Sequence, residues 1–285
     1  MARPVAIRPV SSERNFIRWL LYGEPGCGKS ALAGTSPRAL ILASDGEEPL
    51  SAARFGSKAD MWVCDDCDEL EKAYEYVRHG GVKDYDWIWI DNGTLLQEQN
   101  MDTIMSEVTI TGKRSPYVPD KPQYLINQNQ LGRLIRMFKA LPIHFGMTAH
   151  VMTAYDRNGD EKIMPMFQGG QGVLSQKFCG YMNIVSFMDV RRLKGGAEER
   201  FLLTGKRSNM IAKDRYHSLG SRVVDPNVPA IMEAIRANLP TLGQRAPVKR
   251  VAPTKAAATK KAAPTKATAT TKKAPAKAAA ANKRR

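Results

Sequence analysis

Short apolar segments alternate along the first 240 residues with segments in which apolar residues recur every three or four positions. Short apolar runs are typical of buried strands, whereas the longer period is typical of amphipathic helices. The predicted strands are residues 17–22, 39–43, 61–63, 87–90, 143–149, 182–188 and 200–204. Strands that alternate with helices predict a mostly parallel α/β sheet, with the last two strands as candidates for antiparallel pairing.

Three segments have an apolar face at helical spacing. Their apolar residues are Leu70, Ala73, Tyr74 and Val77, then Leu131, Leu134, Ile135 and Phe138, and finally Val228, Ile231, Met232 and Ile235. Residues 151–172 have no such face and end in a glycine-rich run. This composition is typical of a mobile segment that orders on a polymer ligand, or of a plain surface hairpin.

The composition indicates a globular protein. The chain has 285 residues, of which 43% are hydrophobic, and no run approaches the ~20 apolar residues of a membrane span. The N-terminus lacks the apolar region of a secretory signal. One of four cysteines lies inside the loop motif described below, which favours a reducing compartment. We therefore expect a cytoplasmic protein. Cys64 and Cys67 have half the spacing of a zinc site, but the sequence offers no matching second pair.

The positive charge is concentrated at the C-terminus. The net charge is +15, and residues 245–285 hold 13 Lys and Arg and no acid, which leaves +2 for residues 1–244. The terminal segment is rich in Ala, Lys, Pro and Thr, so it cannot bury enough apolar surface to fold. We predict an N-terminal arm at 1–14, a core at 15–240 and a disordered basic tail at 241–285. The tail is expected to bind nucleic acid through phosphates, the alternative being a solubilising tail without a partner.

A phosphate-binding loop follows the first predicted strand. Residues 23–30 read GEPGCGKS, a complete G-x-x-x-x-G-K-[ST] motif, and a helix-compatible stretch follows. Glycines let the backbone N–H groups turn toward phosphate oxygens, Lys29 would reach the β- and γ-phosphates, and Ser30 would ligate Mg²⁺. The predicted nucleotide-binding residues are Gly23, Glu24, Pro25, Gly26, Cys27, Gly28, Lys29, Ser30 and Ala31.

An acid ends the predicted strand at 87–90. Asp91 follows the apolar run Trp-Ile-Trp-Ile, which is the pattern of the aspartate that holds Mg²⁺ beside the loop serine. The sequence therefore predicts ATP and Mg²⁺ as cofactors, with Ser30 and Asp91 at the metal. Asn92 stands directly after Asp91, so a general base must come from elsewhere.

Further candidates for catalysis follow other strands. Glu47 is the first choice to orient or deprotonate the attacking water, with Asp45 and Glu48 behind it, because ligands of open α/β sheets lie at the carboxyl ends of strands. The alternative is an acidic turn with solvated charges. Thr148 and His150 end the strand 143–149 and could sense the γ-phosphate, or simply bond to backbone.

Two cations stand near the end of the core. Lys213 and Arg215 follow the last predicted strand and are spaced to reach the γ-phosphate of a neighbouring subunit. The alternative is an ordinary charged surface.

Five segments together resemble a known family. They are GEPGCGKS at 23–30, ILASDGEE at 41–48, WIWIDN at 87–92, LPIHFGMTAH at 141–150 and AKDR at 212–215. They resemble the phage-encoded, RecA-like P-loop ATPases of the AAA type, which include a single-domain recombinase and single-strand-annealing branch. The resemblance covers roughly 15–240 and implies a RecA-like P-loop NTPase core with a mostly parallel sheet flanked by helices.

The same resemblance implies a function. It implies an ATP-binding, Mg²⁺-dependent ATPase acting on DNA, single strands favoured, in phage recombination, annealing or replication, as a ring or filament in the host cytoplasm. His150 would couple the nucleotide state to a DNA-facing loop, while Lys213 and Arg215 would act between subunits. The family's Asp-x-Glu-Gly reads Asp-Gly-Glu-Glu at 45–48, which leaves the base open. The alternatives are an annealing accessory protein that uses ATP as a switch with little turnover, and a small-molecule kinase.

Overall fold

The strands and helices alternate along the chain as the hydrophobic pattern predicts. The strands are β1 (Arg18–Gly23), β2 (Ala39–Ala43), β3 (Asp60–Val63), β4 (Trp87–Asp91), β5 (His144–Ala149), β6 (Val151–Tyr155), β7 (Glu161–Pro165), β8 (Ile184–Arg192), β9 (Glu198–Leu203), β10 (Lys213–Asp214) and β11 (Arg222–Val224). The helices are α1 (Lys29–Gly34), α2 (Leu50–Arg54), α3 (Cys67–His79), α4 (Gly93–Ser106), α5 (Lys121–Ala140), α6 (Val173–Tyr181) and α7 (Val228–Asn238).

The computed structural model describes residues 15–47, 50–107, 118–155, 158–239 and 241–243. The predicted arm, Glu48 and the predicted tail beyond Gly243 lie outside these residues. Residues 241–243 pack on the core, since Leu242 is buried and the Gly243 N–H donates to the Asn15 carbonyl oxygen, 2.8 Å away.

The main sheet has the order β11-β9-β8-β1-β5-β4-β2-β3, with β10 beside β8. The strands from β8 to β3 pair in parallel, and β9, β10 and β11 are antiparallel additions. The predicted α/β class is therefore confirmed. The strand predicted at 182–188 pairs in parallel with β1, so only the last of the two candidates, β9, is antiparallel.

Apolar cores cover both faces of the sheet. Ile88 and Ile90 point to the face covered by α3 and α5, while Trp87 and Trp89 point to the face covered by α1 and α7. The two tryptophan rings stack with centroids 5.4 Å apart. A Cβ on Gly146 would lie 2.3 Å from the Trp89 ring, so this glycine makes room for the indole. Because both faces are buried, the central strands are continuous apolar runs.

The segment after β5 is a hairpin. β6 and β7 pair antiparallel as a separate two-stranded sheet, with Val151 opposite Pro165 and Tyr155 opposite Glu161. Of the two interpretations of residues 151–172, the hairpin is the one found. A 3-10 turn at Gly170–Gly172 then leads into α6.

Candidate nucleotide-binding site

The residues of the phosphate-loop motif connect β1 to α1. β1 is buried along its whole length and ends at Gly23, where a Cβ would lie 2.3 Å from the carbonyl oxygen of Met188. Gly26 and Gly28 have φ values of 78° and 105°. These backbone conformations are accessible to glycine but strained for other residues. The path of the loop therefore requires the glycines of the motif.

Lys29 is the first residue of α1, and its side chain folds back into the loop. Its Nζ donates to the carbonyl oxygens of Gly23 and Glu24 at 3.0 and 2.9 Å, and the residue is buried. Burial raises the pKa of the neighbouring Cys27 thiol, so this sulfur remains protonated. The loop thus holds one ammonium group at the place where a cation can meet phosphate oxygens.

Asp91 lies beside the loop, at the end of β4. The hydroxyl of Thr148 on β5 donates to Asp91 Oδ1, and the Ser30 hydroxyl bonds to the same carboxylate. Burial raises the pKa of Asp91, while these two hydrogen bonds and the charge of Lys29 act in the opposite direction. Within the described part of the chain, Asp91 Oδ2 has no hydrogen-bond partner although it is buried.

These donors fit Mg²⁺. A bare carboxylate oxygen next to a serine hydroxyl supplies the hard oxygen ligands that Mg²⁺ takes in proteins. A buried carboxylate without a compensating partner is also costly, and a bound cation would offset that cost. The structure therefore brings together Ser30 and Asp91, the two residues predicted as metal ligands.

A second row of polar groups fixes the strand ends beside Asp91. The Asn92 N–H donates to Ser44 Oγ at 2.8 Å, and the Asn92 side chain caps α4 through the Leu95 N–H. Asn92 Nδ2 also lies 3.4 Å from His150 Nε2. Burial, together with the charge of Lys29, lowers the pKa of His150, so its ring is neutral at neutral pH. His150 thus stands at the site, as predicted from its place after β5.

The two predicted acids that lie in the described residues differ in environment. Asp45 is half-buried, and its charge contributes to the raised pKa of Asp91. Glu47 is exposed, and its backbone N–H donates to Asp45 Oδ1 at 2.9 Å. Asp45 is therefore the acid that acts electrostatically on the metal-binding carboxylate. The choice of Glu47 as the residue that handles water remains a prediction.

With this geometry in place, the comparison with protein families is decisive. Residues 15–216 match the family described as AAA domain, which is well over half of the chain. The chain belongs to the AAA domain family. Members bind nucleotide and hydrolyse ATP, so the predicted P-loop ATPase class is confirmed at this level.

Other comparisons are distant. A structure titled RadB recombinase is 10% identical, with a TM-score of 0.43 over 73% of this AAA domain chain and 87% of its own. The ATPase domain of a helicase is 11% identical, with a TM-score of 0.39 over 74% and 80% of the respective chains. Likeness at this level bears on neither fold nor function. A search of curated protein sequences gave no significant match.

Lys213 and Arg215 lie at the opposite end of the AAA domain's sheet. β10 pairs with the start of β8, whereas the phosphate loop lies beside its later residues. The Lys213 ammonium donates to the Cys179 carbonyl, and Arg215 Nη2 reaches the Gly180 carbonyl at 3.4 Å. Both cations therefore meet the C-terminus of α6, where the helix dipole favours positive charge. Their predicted role between subunits stays a prediction.

Three features of this AAA domain site escaped the sequence prediction. Thr148 was expected to sense phosphate, but its hydroxyl is spent on Asp91. Ser44 and Asn92 join the ends of β2 and β4, although Asn92 does carry the sequence signal of a helix cap. Arg200 lies against Gly28, and nothing in its sequence context indicates this.

Two negative findings concern the described residues of the AAA domain alone. In that part of the chain, no helix is long and apolar enough to cross a bilayer. The same residues include no cluster of three His, Cys, Asp or Glu that could hold a metal. Cys64 and Cys67 are buried, and burial raises the pKa of each thiol to about 12.

Proposed function

We propose that this AAA domain protein is a Mg²⁺-dependent ATPase that acts on DNA in recombination, single-strand annealing or replication, with a phage-encoded protein of the host cytoplasm as the setting. The observation that carries the proposal is the bare oxygen of Asp91, held beside Ser30 and Lys29. Such a site is built to bind the phosphates of a nucleotide together with a hard cation.

The residues of the site divide the work of hydrolysis. Lys29 would leave its two loop carbonyls and neutralise charge on the transferred phosphate. Ser30 and Asp91 would hold Mg²⁺, which supplies charge neutralisation across the phosphate chain. Asp45 or Glu47 would orient the attacking water, because both follow β2 at the carboxyl edge of the sheet.

A hydrogen-bond path supports coupling between this site and the hairpin of β6 and β7. Thr94 Oγ1 accepts from the His150 N–H and donates to the Met166 carbonyl, at 3.0 and 2.8 Å. The Met166 N–H in turn donates to the His150 carbonyl at 2.8 Å. The hairpin is therefore tied at its base to the residue beside Asn92. We propose that this hairpin contacts DNA and that DNA binding changes the geometry of His150.

The basic tail is proposed to add sequence-independent affinity for DNA. Its 13 cations have no acidic residue among them, so they would release counterions from a nucleic acid and bind less tightly as salt rises. In this division of roles, DNA sensing belongs to the core and tethering belongs to the tail.

Steady-state ATP hydrolysis, measured with and without single- or double-stranded DNA, tests these roles. Single strands should stimulate turnover in the full chain and in a chain ending at Gly243, but not in Lys29→Ala. Lys72→Ala, which removes an exposed ammonium from α3, serves as the matched control and should behave as the wild type. DNA binding that disappears with the tail, without any stimulation, would contradict DNA sensing by the core.

A switch with little turnover is the second candidate. It is favoured by Asn92, a helix-capping amide at the position directly after Asp91, where a general base is absent. Nucleotide-dependent DNA binding, with hydrolysis slower than the release of DNA, would support it.

We further propose a homo-oligomer in which Arg215 acts on a neighbour's nucleotide. Arg215 is exposed and makes only a long contact to Gly180, whereas Lys213 is half-buried, so Arg215 is the better placed to reach outward. Lys29→Ala and Arg215→Ala should each be inactive alone. An equal mixture should regain about a quarter of the activity if subunits associate head to tail. Failure of the mixture to recover would contradict action across the interface.

A further inference from the structure

A pocket opens on the side of the phosphate loop away from Asp91. It has a volume of about 310 Å³ and lies between α1, the residue after α2 and the hairpin of β8 and β9. Gly28 and Ala31 form its border with the loop, and Phe55, Arg200 and Asp225 line the rest. Small-molecule pockets begin at about 300 Å³, so the space suits a group the size of a nucleoside.

Arg200 brings a cation to the border of this pocket. It lies on β9 opposite Val190, and a Cβ on Gly28 would be 3.2 Å from both its Cδ and its Nε. The side chain therefore rests on the last glycine of the loop, next to Lys29. An ion pair with Glu198 at 3.6 Å leaves it about one third exposed, at 36%. A guanidinium in this place can meet the phosphate chain where it leaves the loop.

Phe55 provides an exposed aromatic ring on the same pocket. The residue is 67% exposed, which is unfavourable for a large apolar side chain unless a ligand or partner covers it. Arg200 Cζ lies 5.8 Å from the ring centroid, so one face of the ring already meets a cation. Below them, Leu32 and Met188 are buried and form an apolar floor. An aromatic ring above an apolar floor is suited to a planar heterocycle.

We propose that this pocket binds the nucleoside of the nucleotide whose phosphates the loop holds. The Phe55 ring stacks on the base, and Arg200 contacts the phosphate chain from within the same subunit. This inference rests on nucleotide binding at the loop, as proposed above. It adds that the base is recognised by residues outside the loop motif, on α2's C-terminal flank and on β9.

Calorimetric titration of the full-length protein with ATP and with inorganic tripolyphosphate, each with Mg²⁺, separates the two halves of the site. Tripolyphosphate carries the same phosphates without a nucleoside. Phe55→Leu should weaken ATP about tenfold and change tripolyphosphate less than about twofold, whereas Phe55→Trp should restore ATP binding. Arg200→Gln should weaken both ligands about tenfold. Arg191→Gln, on the same hairpin and paired with Glu199, should change neither.

Each other outcome contradicts a defined part of the proposal. If ATP and tripolyphosphate bind the wild type equally well, the pocket contributes nothing and the inference is wrong, while phosphate binding by the loop stands. If Phe55→Leu weakens both ligands alike, Phe55 supports the loop rather than the base. If Arg200→Gln changes neither ligand, Arg200 is no phosphate ligand. If the wild type binds neither ligand, the proposed function itself fails.

Discussion

The two sides of the phosphate loop are built in opposite ways. On the side of β4 and β5, Asp91 and Thr148 are buried and bonded to each other, and the neighbouring strand ends are joined through Ser44 and Asn92. On the side of β8 and β9, a largely exposed Phe55 faces a partly exposed Arg200 across an open pocket.

This difference follows from what each side has to do. Groups that act on developing charge are effective when the fold holds them in place before the ligand arrives, and burial provides that rigidity. A surface that binds a base by stacking can stay open, because the ligand itself completes the packing. The closed side should therefore respond to substitution with large losses of activity and stability, and the open side with losses of affinity alone.

The largest effect is expected from Asp91→Asn on the closed side. The amide keeps an acceptor for Thr148 but removes the charge that would hold Mg²⁺, so ATP hydrolysis should fall at least about 100-fold. The melting temperature should stay level or rise, because a buried carboxylate with a bare oxygen has been replaced by a neutral group.

Turnover and thermal melts of the same preparation check both halves of this expectation. Asp102→Asn, an exposed acid on α4, is the matched control for the change in charge. A large fall in melting temperature in Asp91→Asn would mean that the carboxylate stabilises the fold, and the metal assignment would lose its support.

Much of this closed side was predictable because its strands are apolar runs that end in chemistry. The motif at 23–30, Asp91 and His150 all follow predicted strands, and the parallel sheet then brings them to one edge. α4 was not predicted, although it directly follows Asp91. Its buried face includes polar side chains, Gln97 and Asn100 among them, so no apolar period marks it.

Those buried amides give the second prediction. Gln97 Nε2 donates to the Gln168 carbonyl at 3.0 Å, and the Gln168 N–H donates back to Gln97 Oε1 at 2.8 Å. Gln97→Leu keeps the side-chain size but leaves both backbone groups without a partner. The free energy of unfolding should fall by about 2 kcal/mol in urea titrations.

Gln97→Leu should also uncouple the hairpin. Because Gln168 lies in the segment that returns from β7 to α6, its release should reduce stimulation by DNA more than basal hydrolysis. A loss of both in equal proportion would indicate a general loss of structure instead. Asp102→Asn again provides the control on the same helix.

The third prediction concerns the hydroxyl of Thr148. Thr148→Val removes the hydrogen bond to Asp91 Oδ1 at nearly constant volume, in a residue that is fully buried. That bond lowers the pKa of Asp91, so its loss should raise the pKa further and weaken the hold on Mg²⁺. Hydrolysis at limiting Mg²⁺ should fall about tenfold, with about 1 kcal/mol of stability lost.

Thr148→Ser is the matched control, because it keeps the hydroxyl. A Mg²⁺ titration of the hydrolysis rate should show normal affinity in Thr148→Ser and a higher half-saturating concentration in Thr148→Val. If both variants match the wild type, Thr148 does not position Asp91, and the predicted role in sensing phosphate regains its place.

The open side was beyond sequence prediction for a physical reason. Phe55 follows a five-residue helix, and Arg200 is one of several charged residues in a hairpin. Their proximity to Gly28 depends on the register of β9 against β8, with Arg200 opposite Val190. Pairing registers between strands are set by tertiary packing, and no local pattern near either residue reports them.

The smallest effect is expected from Phe55→Leu without nucleotide. Because the ring is 67% exposed, the free energy of unfolding should change by less than about 0.5 kcal/mol. With ATP well above its dissociation constant the two proteins should separate, since a tenfold weaker ligand stabilises the fold by about 1.4 kcal/mol less. Urea titrations with and without ATP measure this difference, and tripolyphosphate in place of ATP should abolish it. A variant that is already destabilised in the free state would place Phe55 with the closed side, as part of the fold rather than of a surface completed by the base.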